Sequence, residues 1–266
     1  MRLVQKHLIN KNHPYWSYFD QQAFLSKNLF NLANYHIRQH FFNTRTVLSF
    51  TSLYHLVSKT DAYGALPNTK VAKQIIRRVH KAWIGYKQAH KDWQRHPEKY
   101  LGEPKIPKYK YKQNGRYIVV FPDETVSKPA LRKGVVKLTP CPIEFNSGLR
   151  QVNEVRVIPR SGCYVVEIVY EQDRVASTTG DATAGVDIGL VNLVTLTTNQ
   201  SGVKPLLIKG GALKAINTYY NKQKAKIQSE LATKYQRKSS RRLESLTFKR
   251  NCRVDNYLHT VSLYSD

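Results

Sequence analysis

One carboxylate stands inside an apolar stretch of this 266-residue chain. Asp187 lies between Val186 and Ile188, and a glycine flanks each end of this triplet, at Gly185 and Gly189. A charged side chain in a half-buried strand is costly unless a positive group neutralises it, and a divalent cation is the usual partner. The segment therefore predicts either a metal-binding aspartate on a strand or a turn aspartate at the mouth of a hairpin.

Basic side chains form the second set of candidates. The chain carries 43 Lys and Arg against 18 Asp and Glu, which gives a formal net charge of +25. An excess of this size, spread along the chain, is typical of nucleic-acid-binding proteins. We expect phosphate contacts from a helix, from an extended segment and from the break between two later helices. The candidates are Lys73, Arg77, Arg78, Lys105, Lys108, Lys110, Lys112, Arg237, Arg241 and Arg242.

The extended segment, residues 103–117, is called the basic strip below. Pro104 and Pro107 keep it extended, and its lysines alternate with Tyr109 and Tyr111. Such a pattern suits a nucleic-acid backbone with exposed bases, because cations contact phosphates while aromatic rings stack. The alternative is a solvated linker.

Periodicity predicts the elements that position these residues. The first part of the chain is expected to hold a strand in residues 1–12, then helices at about Ser17–Phe42 and at Thr69–His96, the latter capped by Thr69. Short strands should follow at Tyr117–Phe121, Val135–Leu138, Glu154–Ile158 and Cys163–Tyr170, the last two joined by a turn at 159–162. Residues 171–183 resemble a linker. Beyond it we expect the Asp187 strand, strands at Val191–Thr198 and Leu206–Ile208, and helices at roughly 211–235 and 240–264.

Several classes of protein are excluded at this stage. No apolar run is long enough to span a bilayer, and the first residues lack the apolar core of a signal peptide. Cys141, Cys163 and Cys252 lie far apart and form no CxxC pair, so we expect neither a disulfide framework nor a zinc site. A cytoplasmic, reduced protein fits best.

The order of elements indicates the fold class, α+β with more than one domain. Short strands with helices inserted after the first of them indicate a small barrel interrupted by helices. Three consecutive strands followed by helices, with an aspartate on the first strand, are the opening of an RNase H-like fold. In that fold, carboxylates from later elements join this aspartate to hold two metal ions.

Five landmarks in order make the resemblance specific. The chain resembles the TnpB (OrfB) family of insertion-sequence-encoded RNA-guided nucleases, which are related to type V CRISPR effectors. The landmarks are Ala82–Lys87 followed by Lys-Ile-Pro-Lys-Tyr-Lys, Tyr117–Phe121, Glu154–Tyr170, Gly185–Leu193 and Asp255–His259.

The resemblance implies a domain order and a chemistry. Residues 1–16 and 97–180 would form a wedge-type β-barrel, 17–96 a helical recognition lobe, and 183–266 the first part of a RuvC (RNase H-like) α/β domain. Asp187 would be the first of three carboxylates that bind Mg²⁺ for DNA cleavage. The implied partners are a guide RNA and double-stranded DNA, with no membrane and no small-molecule substrate. The implied setting is a prokaryotic cytoplasm, at the nucleoid.

One departure from the family pattern limits this expectation. The second family carboxylate should follow the helix that contains His259, and a zinc ribbon and a final aspartate should come later, yet the sequence stops at Asp266. The acids that follow Asp187 are Glu230, Glu244, Asp255 and Asp266, and none comes after a strand-like run. One carboxylate cannot organise two metal ions. We therefore expect a C-terminally truncated chain that does not cleave DNA and binds no zinc.

Two functions then compete. The chain is either a truncated RNA-guided DNA endonuclease of a transposon or a non-catalytic RNA- and DNA-binding regulatory protein derived from that family. A third, more distant possibility is the phosphate loop of the actin and Hsp70 ATPases. Those loops need small hydroxyl residues after the glycine, where this chain has Leu190 and Val191.

Overall fold

The computed structural model describes residues 1–160, 162–173 and 181–265. Ser161 of the predicted turn, residues 174–180 of the predicted linker and Asp266 lie outside this description. By its internal contacts the chain divides into unit 1, Met1–Arg174, and unit 2, Val175–Asp266. Both units mix helices and strands.

The part of unit 1 that the structure describes holds six strands and five α-helices. The strands are β1 (Arg2–Asn10), β2 (Val119–Pro122), β3 (Val135–Leu138), β4 (Ile143–Asn146), β5 (Glu154–Arg160) and β6 (Cys163–Glu171). The helices are α1 (Trp16–Thr44), α2 (Phe50–Val57), α3 (Asp61–Gly64), α4 (Thr69–Arg95) and α5 (Lys128–Arg132), with single 3₁₀ turns at Pro97–Lys99 and Asp123–Thr125.

The main sheet of unit 1 has the order β1-β6-β5-β2, and each pair in it is antiparallel. The first strand pairs along its whole length with the last one, from Arg2 opposite Glu171 to Asn10 opposite Cys163. Helices α1–α4 are therefore an insertion between two strands of one sheet. The predicted hairpin is confirmed as β5–β6. The smaller β3–β4 sheet includes β4, which the sequence analysis did not predict.

Unit 1 has two hydrophobic cores. One joins the main sheet, the β3–β4 sheet and the start of α1, with Phe19, Val119 and Val166 at its centre. The other lies among the inserted helices around Ile37 and Trp83. Trp83 is fully buried there. It belongs to the buried face of α4, with Ile76 and Val79.

The start of α4 corrects the predicted cap. The side-chain oxygen of Asn68 accepts a hydrogen bond from the Val71 N–H, and Asn68 has an extended backbone. Thr69 is therefore the first helical residue and not the N-cap. The cap lies one residue earlier because an asparagine oxygen satisfies the same unpaired N–H groups.

Unit 2 starts with a three-stranded antiparallel sheet in the order β7-β8-β9 and continues with two helices. Its elements are β7 (Ala184–Ile188), β8 (Asn192–Thr198), β9 (Leu206–Lys209), α6 (Gly211–Tyr235) and α7 (Arg241–Ser265). The two predicted helices are confirmed within a residue at each end. Side chains from α6 and α7 pack together in a small core, Ile227, Leu231 and Leu243. None of the helices described in either unit is long and apolar enough to cross a membrane.

Candidate nucleic-acid interface

The basic strip lies along α1 and is held there through its backbone. Four polar side chains of α1, spaced four, three and four residues apart, reach strip carbonyl groups. This spacing places them on one helix face. They are Lys27, Asn31, Asn34 and Arg38. The strip is therefore an ordered segment, and the solvated-linker alternative is wrong.

Asn31 makes the most regular of these contacts. Its amide nitrogen donates to the Lys110 carbonyl oxygen at 2.9 Å, and the Lys110 N–H donates to the Asn31 side-chain oxygen at 2.8 Å. One side chain thus satisfies both backbone groups of a strip residue, as a neighbouring strand would. The strip is fixed at its centre without belonging to a sheet.

Asn34 connects the strip to the helical core. It is fully buried, and its side-chain oxygen accepts a hydrogen bond from the Trp83 indole N–H at 2.7 Å. Its amide nitrogen donates to the Pro107 carbonyl oxygen at 3.2 Å. A buried amide without partners would be costly, so these two bonds tie the position of the strip to that of α4.

Lys27 holds the C-terminal half of the strip, at Lys112. Its side chain is 2% exposed, its ammonium donates to the Lys112 carbonyl oxygen at 2.6 Å, and it lies 3.8 Å from the centroid of the Phe24 ring. Burial, together with the charges of Arg116 and Lys112, lowers the pKa of Lys27. This lysine is a structural donor and is not available to a phosphate.

The four candidate lysines of the strip do not share one environment. Lys105, Lys108 and Lys112 are exposed. Lys110 is half-buried, and its ammonium lies 5.1 Å from the centroid of the Phe30 ring and 5.4 Å from that of Tyr117. A cation in contact with two rings is already stabilised by them. Lys105, Lys108 and Lys112 are therefore free to contact phosphates, whereas the Lys110 side chain packs against the Phe30 and Tyr117 rings.

The candidates on α4 separate onto two sides of that helix. Lys73 and Arg77 are exposed and lie over rings of α2, at 5.4 Å from the centroid of Tyr54 and 6.0 Å from that of Phe50. Arg78 instead acts on Tyr117 at the end of the strip: burial raises the pKa of Tyr117, and the Arg78 charge opposes that shift. Lys73 and Arg77 thus form an exposed cluster with α2, whereas Arg78 is half-buried.

Arg38 is a residue that the sequence analysis missed. Its guanidinium donates to the Pro107 carbonyl oxygen at 3.0 Å and lies 4.9 Å from the centroid of the Tyr109 ring and 5.4 Å from that of Phe42. The usable signal was its spacing of four residues from Asn34 and from Phe42, which puts all three on one side of α1.

A charged network ties the end of the strip to the start of α1 and to the main sheet. Two nitrogens of Arg116 donate to the two carboxylate oxygens of Asp20 at 2.8 and 2.7 Å, and the Tyr164 hydroxyl donates to one of them at 2.7 Å. The hydrogen bonds from Arg116, followed by that from Tyr164, hold the pKa of Asp20 below its ordinary value of 3.8, although partial burial opposes this shift. The network stabilises unit 1 in the ionised form of Asp20.

This lowered pKa gives a test of stability against pH. A carboxyl with a lowered folded-state pKa stabilises the fold above its ordinary pKa, and the contribution is lost as the pH falls through the folded value. We expect Asp20→Asn to destabilise unit 1 by about 2 kcal/mol at pH 7, because charge-assisted bonds are lost. The difference from wild type should shrink below pH 3.8.

Urea unfolding followed by tryptophan fluorescence measures this effect, because all three tryptophans, Trp16, Trp83 and Trp93, lie in unit 1. Glu171→Gln is the matched control, since that carboxylate is exposed in its ion pair with Arg2. A difference between Asp20→Asn and wild type that stays constant down to pH 2 would contradict the assignment.

The candidates of unit 2 lie at the connection between α6 and α7. Arg237, Arg241 and Arg242 are exposed, and a nitrogen of Arg242 lies 3.6 Å from a carboxylate oxygen of Glu230. Glu244 accepts a hydrogen bond from the Ser239 hydroxyl at 3.4 Å. Glu230 and Glu244, two of the acids that follow Asp187, therefore form polar contacts within this helical hairpin.

Asp187 lies on β7, opposite Thr195 of β8, so its placement on a strand is confirmed. The half-buried environment expected for it is wrong: all five residues of β7 are exposed, and β7 is an edge strand of its sheet. Apolar neighbours indicate burial only where another layer covers the strand. Solvent can therefore stabilise this carboxylate, and burial alone does not require a cation beside it.

The residues present do not fit a two-metal site. Within residues 1–160, 162–173 and 181–265, no three His, Cys, Asp or Glu side chains lie close enough together to hold a metal ion. A two-ion centre for phosphodiester hydrolysis needs several carboxylates around the reacting phosphate. Asp187 on β7 supplies one.

Comparison with known proteins gives one family match. Residues 167–264, just over a third of the chain, match the OrfB_IS605 family model, described as a probable transposase. This match confirms the resemblance to the TnpB (OrfB) family and places the chain near transposon-associated proteins. No curated protein sequence matches significantly.

Two cryo-electron microscopy structures are among those with a similar arrangement. One chain comes from a Cas12f1–sgRNA–target DNA complex, with 11% identity and a TM-score of 0.35, over 98% of this chain and 71% of that one. The other comes from a CRISPR–Cas12f ternary complex, with 9% identity and a TM-score of 0.33, over 91% of this chain and 58% of that one. This chain thus spans less than two thirds of the second.

Proposed function

We propose that this chain, whose residues 167–264 match the OrfB transposase family, binds a guide RNA and double-stranded DNA as part of a transposon-encoded RNA-guided endonuclease system. The observation that carries the proposal is the net charge of +25, with exposed cations on α4, on the basic strip and at the connection between α6 and α7. The exposed lysines of the basic strip have a backbone that α1 fixes in place. A fixed cation gives up less conformational freedom when it contacts a phosphate than a cation on a mobile linker.

The domain roles belong to the same proposal. Residues 1–16 and 97–180 would act as the wedge barrel and residues 17–96 as the recognition lobe. The pairing of β1 with β6, with helices inserted between β1 and β2, supports this division. Residues 183–266 would supply the first part of a RuvC domain, supported by three antiparallel strands followed by two helices.

In this proposal, contacts to phosphate groups supply the main part of nucleic-acid binding. Exposed lysine and arginine side chains donate to phosphate oxygens and release condensed counterions, which favours binding at low salt. Within the strip this role falls to Lys105, Lys108 and Lys112. In the other clusters it falls to exposed groups on α4 and at the connection between α6 and α7, which are Lys73, Arg77, Arg237, Arg241 and Arg242.

Cleavage is not assigned to the residues described. Asp187 would be the family's first Mg²⁺ ligand, but it lies on an exposed edge strand, and Glu230 and Glu244 engage partners at the helical hairpin. No hydrolytic step follows from such a set. This observation fits both a truncated endonuclease and the second candidate function, a non-catalytic RNA- and DNA-binding regulatory protein of the same family.

A cleavage assay tests the expected lack of hydrolytic activity, which both candidate functions share. We expect the 266-residue chain, mixed with a structured RNA and Mg²⁺, to leave supercoiled plasmid DNA intact, because a single carboxylate cannot hold two ions. Asp187→Ala should change the free energy of unfolding by less than about 0.5 kcal/mol, because the side chain is exposed. Gel electrophoresis and thermal melts measure the two effects.

The same assay can also contradict the expected lack of cleavage. Metal-dependent nicking that Asp187→Ala abolishes would show that another acid completes the site, with Asp255 of α7 as the first to substitute. Nicking that survives Asp187→Ala would indicate a contaminating nuclease.

A further inference from the structure

The basic strip displays aromatic rings to solvent as well as cations. Tyr111 is 86% exposed, Tyr109 is 45% exposed, and Phe42 of α1, beside Arg38, is 47% exposed. Rings left in water forgo the stabilisation that burial would give them. Three of them around one short segment form a surface whose rings remain available to a partner.

These rings are held on a fixed backbone. The strip residues on either side of Tyr109 and Tyr111 accept hydrogen bonds from α1, at the carbonyl groups of Pro107, Lys110 and Lys112. Tyr109 is further fixed by the Arg38 guanidinium, 4.9 Å from its ring centroid. The strip backbone and the Tyr109 ring therefore do not have to be ordered by a ligand, which lowers the cost of binding one.

The two tyrosines are alternate residues of the strip. In an extended segment, alternate side chains lie on one side, about 6.6 Å apart, since each residue rises about 3.3 Å. That is about twice the 3.4 Å rise between stacked bases in a nucleic-acid strand. The sequence spacing is therefore compatible with one base between the two rings, and the Arg38 guanidinium lies against the Tyr109 ring.

The charge around the rings selects the class of ligand. Lys105, Lys108 and Lys112 are exposed beside the tyrosines, and the sequence from Pro104 to Arg116 contains no acidic residue. Cations that follow a backbone, together with rings that take the bases, are how single strands are bound without sequence preference. A duplex offers phosphates to such a surface, but its bases are already stacked and paired.

We propose that Tyr109 and Tyr111, with Arg38, form a stacking site for an unpaired base of a single-stranded nucleic-acid segment. The inference rests on the proposed function, because the neighbouring lysines hold the phosphates of that segment. It adds a preference: the strip binds single-stranded segments more tightly than paired ones of equal length.

The test compares three labelled ligands of equal length by fluorescence anisotropy: a single-stranded RNA, a strand of abasic residues and an RNA duplex. The single-stranded RNA is expected to bind about tenfold more tightly than the abasic strand, because base–ring stacking is lost in the latter. Tyr111→Leu and Tyr109→Leu should each remove most of this ratio and leave the affinity for the abasic strand and the salt dependence unchanged. Tyr219→Leu is the control, since that tyrosine is 56% exposed on α6.

The outcomes that overturn the inference differ from those that overturn the proposed function. Equal affinity for the RNA and the abasic strand, or equal losses on both in Tyr111→Leu, would refute the stacking site while leaving phosphate binding intact. Equal binding of poly-glutamate would likewise refute it, by showing a general polyanion surface. Failure of all three nucleic-acid ligands to bind in a salt-dependent way would refute the proposed function itself.

Discussion

The affinity of the chain for structured RNA and for duplex DNA is expected to fall by about three orders of magnitude between about 50 and 200 mM salt. The reason is the release of counterions when lysine and arginine side chains neutralise about six phosphates or more. Exposed cations on α4, on the basic strip and at the connection between α6 and α7 exceed that number. Fluorescence anisotropy at several salt concentrations gives the slope of the logarithm of the binding constant.

The slope of this plot tests whether the chain binds through phosphate contacts. A steep, linear decrease with the logarithm of salt concentration supports binding through phosphates. Binding no tighter than micromolar at low salt, with a flat response, would show that the net charge of +25 serves another purpose.

Replacement of three strip lysines should weaken this binding without unfolding the chain. In a variant with Lys105→Ala, Lys108→Ala and Lys112→Ala, the slope should become shallower by about 2 to 3, since each phosphate contact contributes about 0.7–0.9. Affinity near 100 mM salt should fall at least about tenfold. The melting temperature should hold, because the bonds that fix the strip are made by its backbone and survive in alanine.

A matched variant controls for the loss of three charges. Lys70, Lys128 and Lys137 are exposed lysines of unit 1, and each forms an ion pair with a carboxylate. Replacing these three lysines with alanine should change the slope less than replacing the three strip lysines does. A large decrease in melting temperature of the strip variant would show that the lysine side chains themselves hold the strip, and equal slopes in the two variants would show that the strip contacts no phosphate.

Periodic elements of this fold could be predicted from the sequence, and long-range polar contacts could not. Helices α4 and α6 follow regular patterns, so their bounds were found within about a residue. Asn31 contacts Lys110, 79 positions away, and Asn34 contacts Pro107, 73 positions away. Nothing local in the sequence marks such a partner. The cap of α4 was misplaced by one residue because Asn68 and Thr69 are both residues that favour that position.

The environment of Asp187 was mispredicted for a related physical reason. Alternating apolar residues show which positions could be buried, but burial needs a second layer. In unit 2 the buried core lies between α6 and α7, and β7 remains exposed. Strand β4 was missed because it is only four residues long, with two apolar side chains.

Pairing of β1 with β6 sets the order in which unit 1 can fold as it leaves the ribosome. Arg2 and Glu171 are paired across 169 positions of the chain, so β1 emerges long before its partner. At about 5–20 residues per second the delay is roughly 10 to 30 s. Helices α1–α4 can form their own core during this time, because their contacts are closer in sequence. β1 meanwhile keeps the unpaired backbone groups of an edge strand. Until β6 emerges, β1 is therefore open to strand pairing with other chains, which is a route to aggregation.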